Sequence, residues 1–215
     1  NCSSMAHYIG KLCLFFVFLM QVDYLHGFPN RGNLTLIESA LSDGALCLDG
    51  SPPGYYFSEG IGDGAKNWLI ILEGGGWCAT YDECRLRGYS SFGSTKKRDR
   101  SIYFGWLKSG NASVNPDFYD WNRVSITYCD GASYLGDVDF IDKTPKIWIR
   151  GSRIFKAAID ELLAKGLRNA SNVLLGGSSA GGLAAILHCD GISGLLAPDV
   201  KRVKCFSDSG FFIHG

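Results

Sequence analysis

The five residues Gly177-Ser178-Ser179-Ala180-Gly181 constrain this chain more than any other feature, because they join a short apolar run at 173–175 to a helical pattern beginning near Leu183. A G-x-S-x-G turn between a strand and a helix strains the backbone of its central residue and lifts that side chain above the sheet. Only small neighbours let strand and helix approach so closely, which accounts for glycine at 177 and 181. The helix N-terminus beneath Ser179 favours negative charge there. Ser179 is therefore the expected nucleophile of a serine hydrolase. Ser178, at the x position, is expected to point away from the cleft.

Around that turn, strand and helix signals alternate. Residues 68–73 form an apolar run bounded by Asn67 and three glycines, which suits a strand buried on both faces, and 124–128 is a second run, ended by Cys129-Asp130-Gly131. Between Gly151 and Gly166, Ile154, Phe155, Ala158, Ile159, Leu162 and Leu163 recur at helical spacing, with Ser152 as the expected N-cap and Gly166 as the stop. Residues 173–175, 183–187 and 203–206 read as strand, helix and strand. This order predicts an α/β class: an α/β-hydrolase-like, mostly parallel sheet with helices on both faces, truncated after the nucleophile elbow. No internal repeat divides the chain, so 28–215 is expected to be one incomplete domain. Before it, a lightly basic stretch ending at Lys11 and an apolar run at 12–20 predict a secretory signal over 1–27, with residues 1–4 preceding Met5.

Lysine plus arginine balance aspartate plus glutamate at 21 each, which gives no global field toward nucleic acid or an anionic membrane. The local run Lys96, Lys97, Arg98 and Arg100 is expected to be a solvated loop. Setting aside Cys2 and Cys13 leaves six cysteines, an even number in an exported chain, and they read as disulfides. Proximity singles out Cys78 with Cys84 as a candidate pair. Metal-ligand spacings are missing, so neither metal nor cofactor is expected. Asn33, Asn111 and Asn169 open N-x-S/T sequons and are the glycosylation candidates. The hexapeptide 60–65 formally fits a dinucleotide fingerprint, but it precedes a strand instead of following one and is expected to be a glycine-rich loop.

A second chemical element is Glu73-Gly74-Gly75-Gly76-Trp77-Cys78, at the C-terminal end of the first apolar strand. Glycines there expose backbone N–H groups, and Gly75 and Gly76 are expected to complete an oxyanion hole with the N–H of Ala180.

Taken with the 47–56 segment, the run from Asn115 to Val124, Tyr128-Cys129-Asp130-Gly131 and the stretch from Ser178 to Asp190, these motifs resemble the plant pectin acetylesterase family, relatives of the animal deacylase Notum. The resemblance implies a secreted, cell-wall carboxylic ester hydrolase acting on acetylated pectin through a serine acyl-enzyme. It implies Ser179 as nucleophile, Gly75, Gly76 and Ala180 as oxyanion donors, and no membrane insertion after signal cleavage. Ser178 stands where plant members carry cysteine. The family's acid and histidine are expected beyond Gly215. Asp208 and His214 obey the order serine, acid, histidine but lie on one segment and are read as loop residues. His188, more than two helical turns past Ser179, is read as packing. The alternatives are a truncated chain without catalysis and a Notum-like lipid deacylase. Trp77, Tyr103, Trp106 and Tyr134 are read as core, sugar groove or lipid pocket.

Overall fold

The computed structural model describes residues 30–139, 143–196, 200 and 202–212. The expected signal region and His214 lie outside them. The apolar runs form the centre of a seven-stranded sheet: β1 (Arg31–Leu36), β2 (Gly54–Ser58), β3 (Asn67–Leu72), β4 (Ser101–Tyr103), β5 (Asn122–Ile126), β8 (Asn172–Ser178) and β9 (Arg202–Asp208). Their order is β4-β1-β2-β5-β3-β8-β9, and β6 (Val138–Asp139) pairs with β7 (Trp148–Ile149) separately. From β5 through β3 and β8 to β9 every pairing is parallel, whereas β1, β2 and β4 join antiparallel. A parallel neighbour needs a long crossover, and the linkers around β1 and β2 carry only short 3₁₀ turns.

The helices are α1 (Tyr81–Arg87), α2 (Gly151–Ala164) and α3 (Ala180–Ser193). Trp68, Ile70, Leu72, Val124, Ile126, Val173 and Leu175 share one buried cluster with the apolar stripe of α2 and with Ala180, Ala184 and Ala185 of α3. Both long helices therefore cover the same face. On the other face, the segment after β4 reaches over β5: the Lys108 ammonium donates to Ser125 Oγ (3.1 Å), and the Arg123 guanidinium donates to the Lys108 carbonyl (3.2 Å).

Several expectations are corrected. The N-cap of α2 is Arg150, and Ser152 lies inside the helix with its N–H donating to the Gly136 carbonyl (3.0 Å). The start is fixed by packing, because any side chain at Gly151 would overlap the Asp130 carboxylate. The helix α3 extends well beyond 183–187 at both ends. Its glycines look like turn residues, yet Gly181 and Gly182 form its first turn, since a Cβ at 181 would run into the Leu72 carbonyl. Nor is the basic run simply solvated: Arg98 pairs with Glu73 at 2.6 Å with both side chains largely buried, and Lys96 pairs with Asp49 at 3.5 Å. The 60–65 glycine loop becomes a 3₁₀ turn leading into β3, pinned by Asn122, whose side chain accepts from the Gly60 N–H and donates to the Ala65 and Asn67 carbonyls.

Three disulfides link Cys47 to Cys129, Cys78 to Cys84 and Cys189 to Cys205.

Candidate active site

Ser179 sits at the junction of β8 and α3 with φ +54° and ψ −121°, a conformation that costs a non-glycine residue about 1–3 kcal/mol and persists only where surrounding structure enforces it. Three contacts enforce it. A Cβ at Gly177 would overlap the Gly181 carbonyl, one at Gly181 the Leu72 carbonyl, and one at Gly74 the Ser178 carbonyl, with Ser179 Cβ at 3.2 Å. Strand, helix and glycine loop thus meet at van der Waals distance around one serine. The Ser179 N–H donates to the Asp208 carbonyl at 2.9 Å, tying the turn to the end of β9. As the N-cap of α3, Ser179 has the unsatisfied first-turn N–H groups beside it, including that of Ala180.

The adjacent serine faces elsewhere. Ser178 ends β8 in register with Asp208 and lines a cavity of about 490 Å³ with Ile71, Phe206, Trp106 and Lys108. Ser179 is not in that lining, and Ile71 and Phe206 mark it as the sheet face away from α2 and α3.

The glycine loop takes backbone conformations closed to other residues, with φ +145° at Gly75 and +69° at Gly76. Its carbonyls are held from behind: Arg87 Nη2 donates to Gly75 O and the Tyr128 hydroxyl to Gly76 O, each at 2.8 Å. The N–H groups of Gly74, Gly75, Gly76 and Trp77 meet no acceptor among the described residues. Glu73, just before the loop, is fixed by Arg98, by the Ser125 hydroxyl (3.3 Å) and by the Tyr128 N–H (3.4 Å). Trp77 Nε1 donates to Ser133 Oγ at 2.6 Å, and the ring meets Phe212 edge-on at 5.3 Å.

His188, the one histidine among the described residues, stacks on Phe155 with ring centroids 3.8 Å apart and places Nε2 3.1 Å from the Tyr134 carbonyl. Burial lowers its pKa from the ordinary histidine value, and the ring packs between α3 and α2. Asp208 is exposed at the tip of β9, and its carboxylate accepts from Ser209 Oγ at 3.3 Å. Of the aromatic candidates, Tyr134 is fully buried, whereas Trp77, Tyr103 and Trp106 are exposed by 46%, 64% and 89%. The core reading fits only the first.

A family model described as Pectinacetylesterase matches residues 29–215. The chain belongs to the pectinacetylesterase family. It is 49% identical over 182 residues to pectin acetylesterase 11 of Arabidopsis thaliana and 47% identical over 182 residues to pectin acetylesterase 7 of the same plant, covering 85% of this chain and 46% of each relative. It is also 35% identical over 180 residues to the palmitoleoyl-protein carboxylesterase NOTUM of Mus musculus, covering 80% of this chain and 35% of that protein. The chain thus spans less than half the length of these curated relatives.

Within this pectinacetylesterase chain, the side chains that sequence reasoning missed are Arg87, Arg98 and Tyr128. Arg98 reads only as part of a basic run and Tyr128 only as part of a motif, and their spacing does not show these roles, since they reach the loop region from α1, from the end of a 3₁₀ turn and from the stretch after β5. Asp130 was singled out only as part of a motif. It is fully buried, its Oδ2 accepts from the N–H groups of Ala132 and Tyr134, and desolvation pushes its carboxyl up to about 6.

Proposed function

We propose that this chain carries the nucleophile and the oxyanion-binding portion of a serine esterase that removes acetyl groups from pectin. The observation that carries the reading is the strained Ser179 at the strand-to-helix junction, packed against the Gly74–Gly75–Gly76 loop. Ser179 Oγ attacks the acetyl carbonyl carbon while its proton passes to a base, and the carbonyl π electrons move onto oxygen. Gly75, Gly76 and Ala180 N–H groups receive that oxyanion, each worth about 3 kcal/mol in the transition state. Collapse expels the sugar alkoxide, which takes the proton, and leaves acetyl-Ser179. Water then attacks the acyl group, releasing acetate and restoring the hydroxyl. His188 is engaged in packing, which supports the reading that the base comes from outside the described residues.

The reading extends to location: residues 1–27 direct export, and the mature chain works on acetylated pectin in the cell wall, without nucleic acid or stable membrane insertion. No helix among the described residues is long and apolar enough to cross a membrane. The sequon asparagines Asn33, Asn111 and Asn169 are all exposed, as glycan acceptors must be.

The test is labelling with an aryl organophosphonate followed by peptide mapping. The adduct is expected on Ser179, and recovery on Ser178 would overturn the assignment, because that side chain faces the other side of the sheet.

A further inference from the structure

The glycine loop presents its donors only if something fixes its peptide planes, since glycines in left-handed conformations have no side chains to do so. A trans peptide points its C=O and N–H in opposite directions, so anchoring the carbonyl of one residue sets the direction of the next residue's N–H. The Gly75 carbonyl is anchored by Arg87 and the Gly76 carbonyl by Tyr128. The peptides so fixed carry the N–H groups of Gly76 and Trp77. The Gly74–Gly75 peptide, which carries the Gly75 N–H, has no such bond among the described residues.

The anchors are themselves fixed. The Arg87 guanidinium lies between two rings, 5.2 Å from the Phe92 centroid and 5.1 Å from that of Tyr128, and its Nε donates to the Phe92 carbonyl at 3.1 Å. A Cβ at Gly75 would strike the Phe92 ring at 2.6 Å, so the ring also limits the loop from that side. The Tyr128 hydroxyl accepts the Ser133 N–H at 3.0 Å while it donates to Gly76, which leaves its proton one direction to go. Burial pushes this phenol up to about 12, so it stays a donor throughout the neutral range.

We propose that Arg87 and Tyr128 are positioning residues: Arg87, through the Gly75 carbonyl, sets the Gly76 N–H before substrate arrives, and Tyr128, through the Gly76 carbonyl, fixes the following peptide so that this donor cannot swing away. The proposal rests on the serine-esterase reading above. Donors aimed in advance act on the developing oxyanion more than on the ground-state carbonyl, so loosening them lowers kcat and leaves KM nearly unchanged.

The experiment compares Tyr128→Phe, Arg87→Lys, Ser179→Ala and the control Arg85→Ala in the longest expressed form of the polypeptide. It measures aryl acetate kinetics, thermal midpoint and the Kd of phenylboronic acid, which forms a tetrahedral anion on a serine without turnover. Losing a whole oxyanion donor costs about 10²–10³ in kcat, so a misaimed one is expected to cost about 10–100-fold. Tyr128→Phe and Arg87→Lys are expected to show that loss with KM within about two-fold, and boronate binding weakened about ten-fold or more. Arg85→Ala is expected to match the parent in all three readouts. Parental kcat and parental boronate affinity in both anchor variants would overturn the positioning role, as would a loss carried by KM alone. Failure of the esterase reading looks different: Ser179→Ala would then hydrolyse aryl acetate as the parent does. If an anchor variant does not fold, the other carries the comparison, and boronate affinity keeps the result decisive where turnover is slow.

Discussion

Replacing Asp130 by asparagine should remove a specific pH dependence of stability. Asp130 is 0% exposed, its Oδ2 accepts two backbone N–H groups, and its Oδ1 is buried without a partner among the described residues. The groups that face it are the Arg87 guanidinium, Tyr128, Tyr134 and the first turn of α2 at Gly151. Desolvation outweighs the two hydrogen bonds and the Arg87 charge, so its carboxyl titrates near 6 in the fold against 3.8 in the open chain. Between those values the folded state holds a proton that the unfolded state has lost, so stability falls as pH rises from about 4 to about 6. The cost is fully present at neutral pH and amounts to roughly 3 kcal/mol, at 1.36 kcal/mol per pKa unit. Asparagine keeps an acceptor for the two N–H groups and cannot ionise. Urea unfolding at pH 4, 5, 6 and 7, disulfides intact, gives the free energy of parent and variant. The difference, Asp130→Asn minus parent, should grow with pH across that window and level off near pH 7. A difference flat from pH 4 to 7 would refute the reasoning.

Gly177→Ala should destabilise the fold by about 1–3 kcal/mol or more and abolish Ser179 labelling, because its methyl would overlap the Gly181 backbone, which cannot swing aside. Thermal melts and phosphonate labelling check this. Arg98→Met should cost about 3–5 kcal/mol by leaving the Glu73 carboxylate buried without its cation, and Glu73→Gln in addition should restore part of the loss in denaturant melts. Acetyl esters should be cleaved far faster than palmitoleoyl esters, and comparable kcat/KM values on the two would favour the lipid-deacylase reading instead.

The parts of this molecule that were legible in the sequence are those where a local pattern and a long-range constraint coincide. The run at 173–175 followed by small residues gave the elbow, because the same glycines that break a helix pattern are what a strand and helix need in order to touch at Leu72 and Gly181. The stripe from Ile154 to Leu163 gave α2, whose buried positions match it residue by residue. Its start was not legible, since the Asp130 carboxylate that packs there comes from a distant loop. Arg98 looked like one cation in a basic run. Only the fold brings Glu73, just after β3, within 2.6 Å of it, and charge patterning along the chain carries no information about so distant a partner. The antiparallel half was hidden for a similar reason, as β1 is mostly polar and β4 only three residues long, and both acquire their meaning from pairing.

The disulfide map also bears on biogenesis. Six cysteines can pair in fifteen ways, and the fold uses one. Cys78 and Cys84 are six residues apart and can find each other while the chain is still largely open. Cys47 and Cys129 are 82 residues apart and flank the paired strands β2 and β5, whose antiparallel register brings the two cysteines together. Closing that loop removes on the order of 4–5 kcal/mol of chain entropy from the unfolded ensemble. Because β3 and the glycine loop lie inside the ring, the Cys47–Cys129 bond ties together the two ends of the segment that carries them.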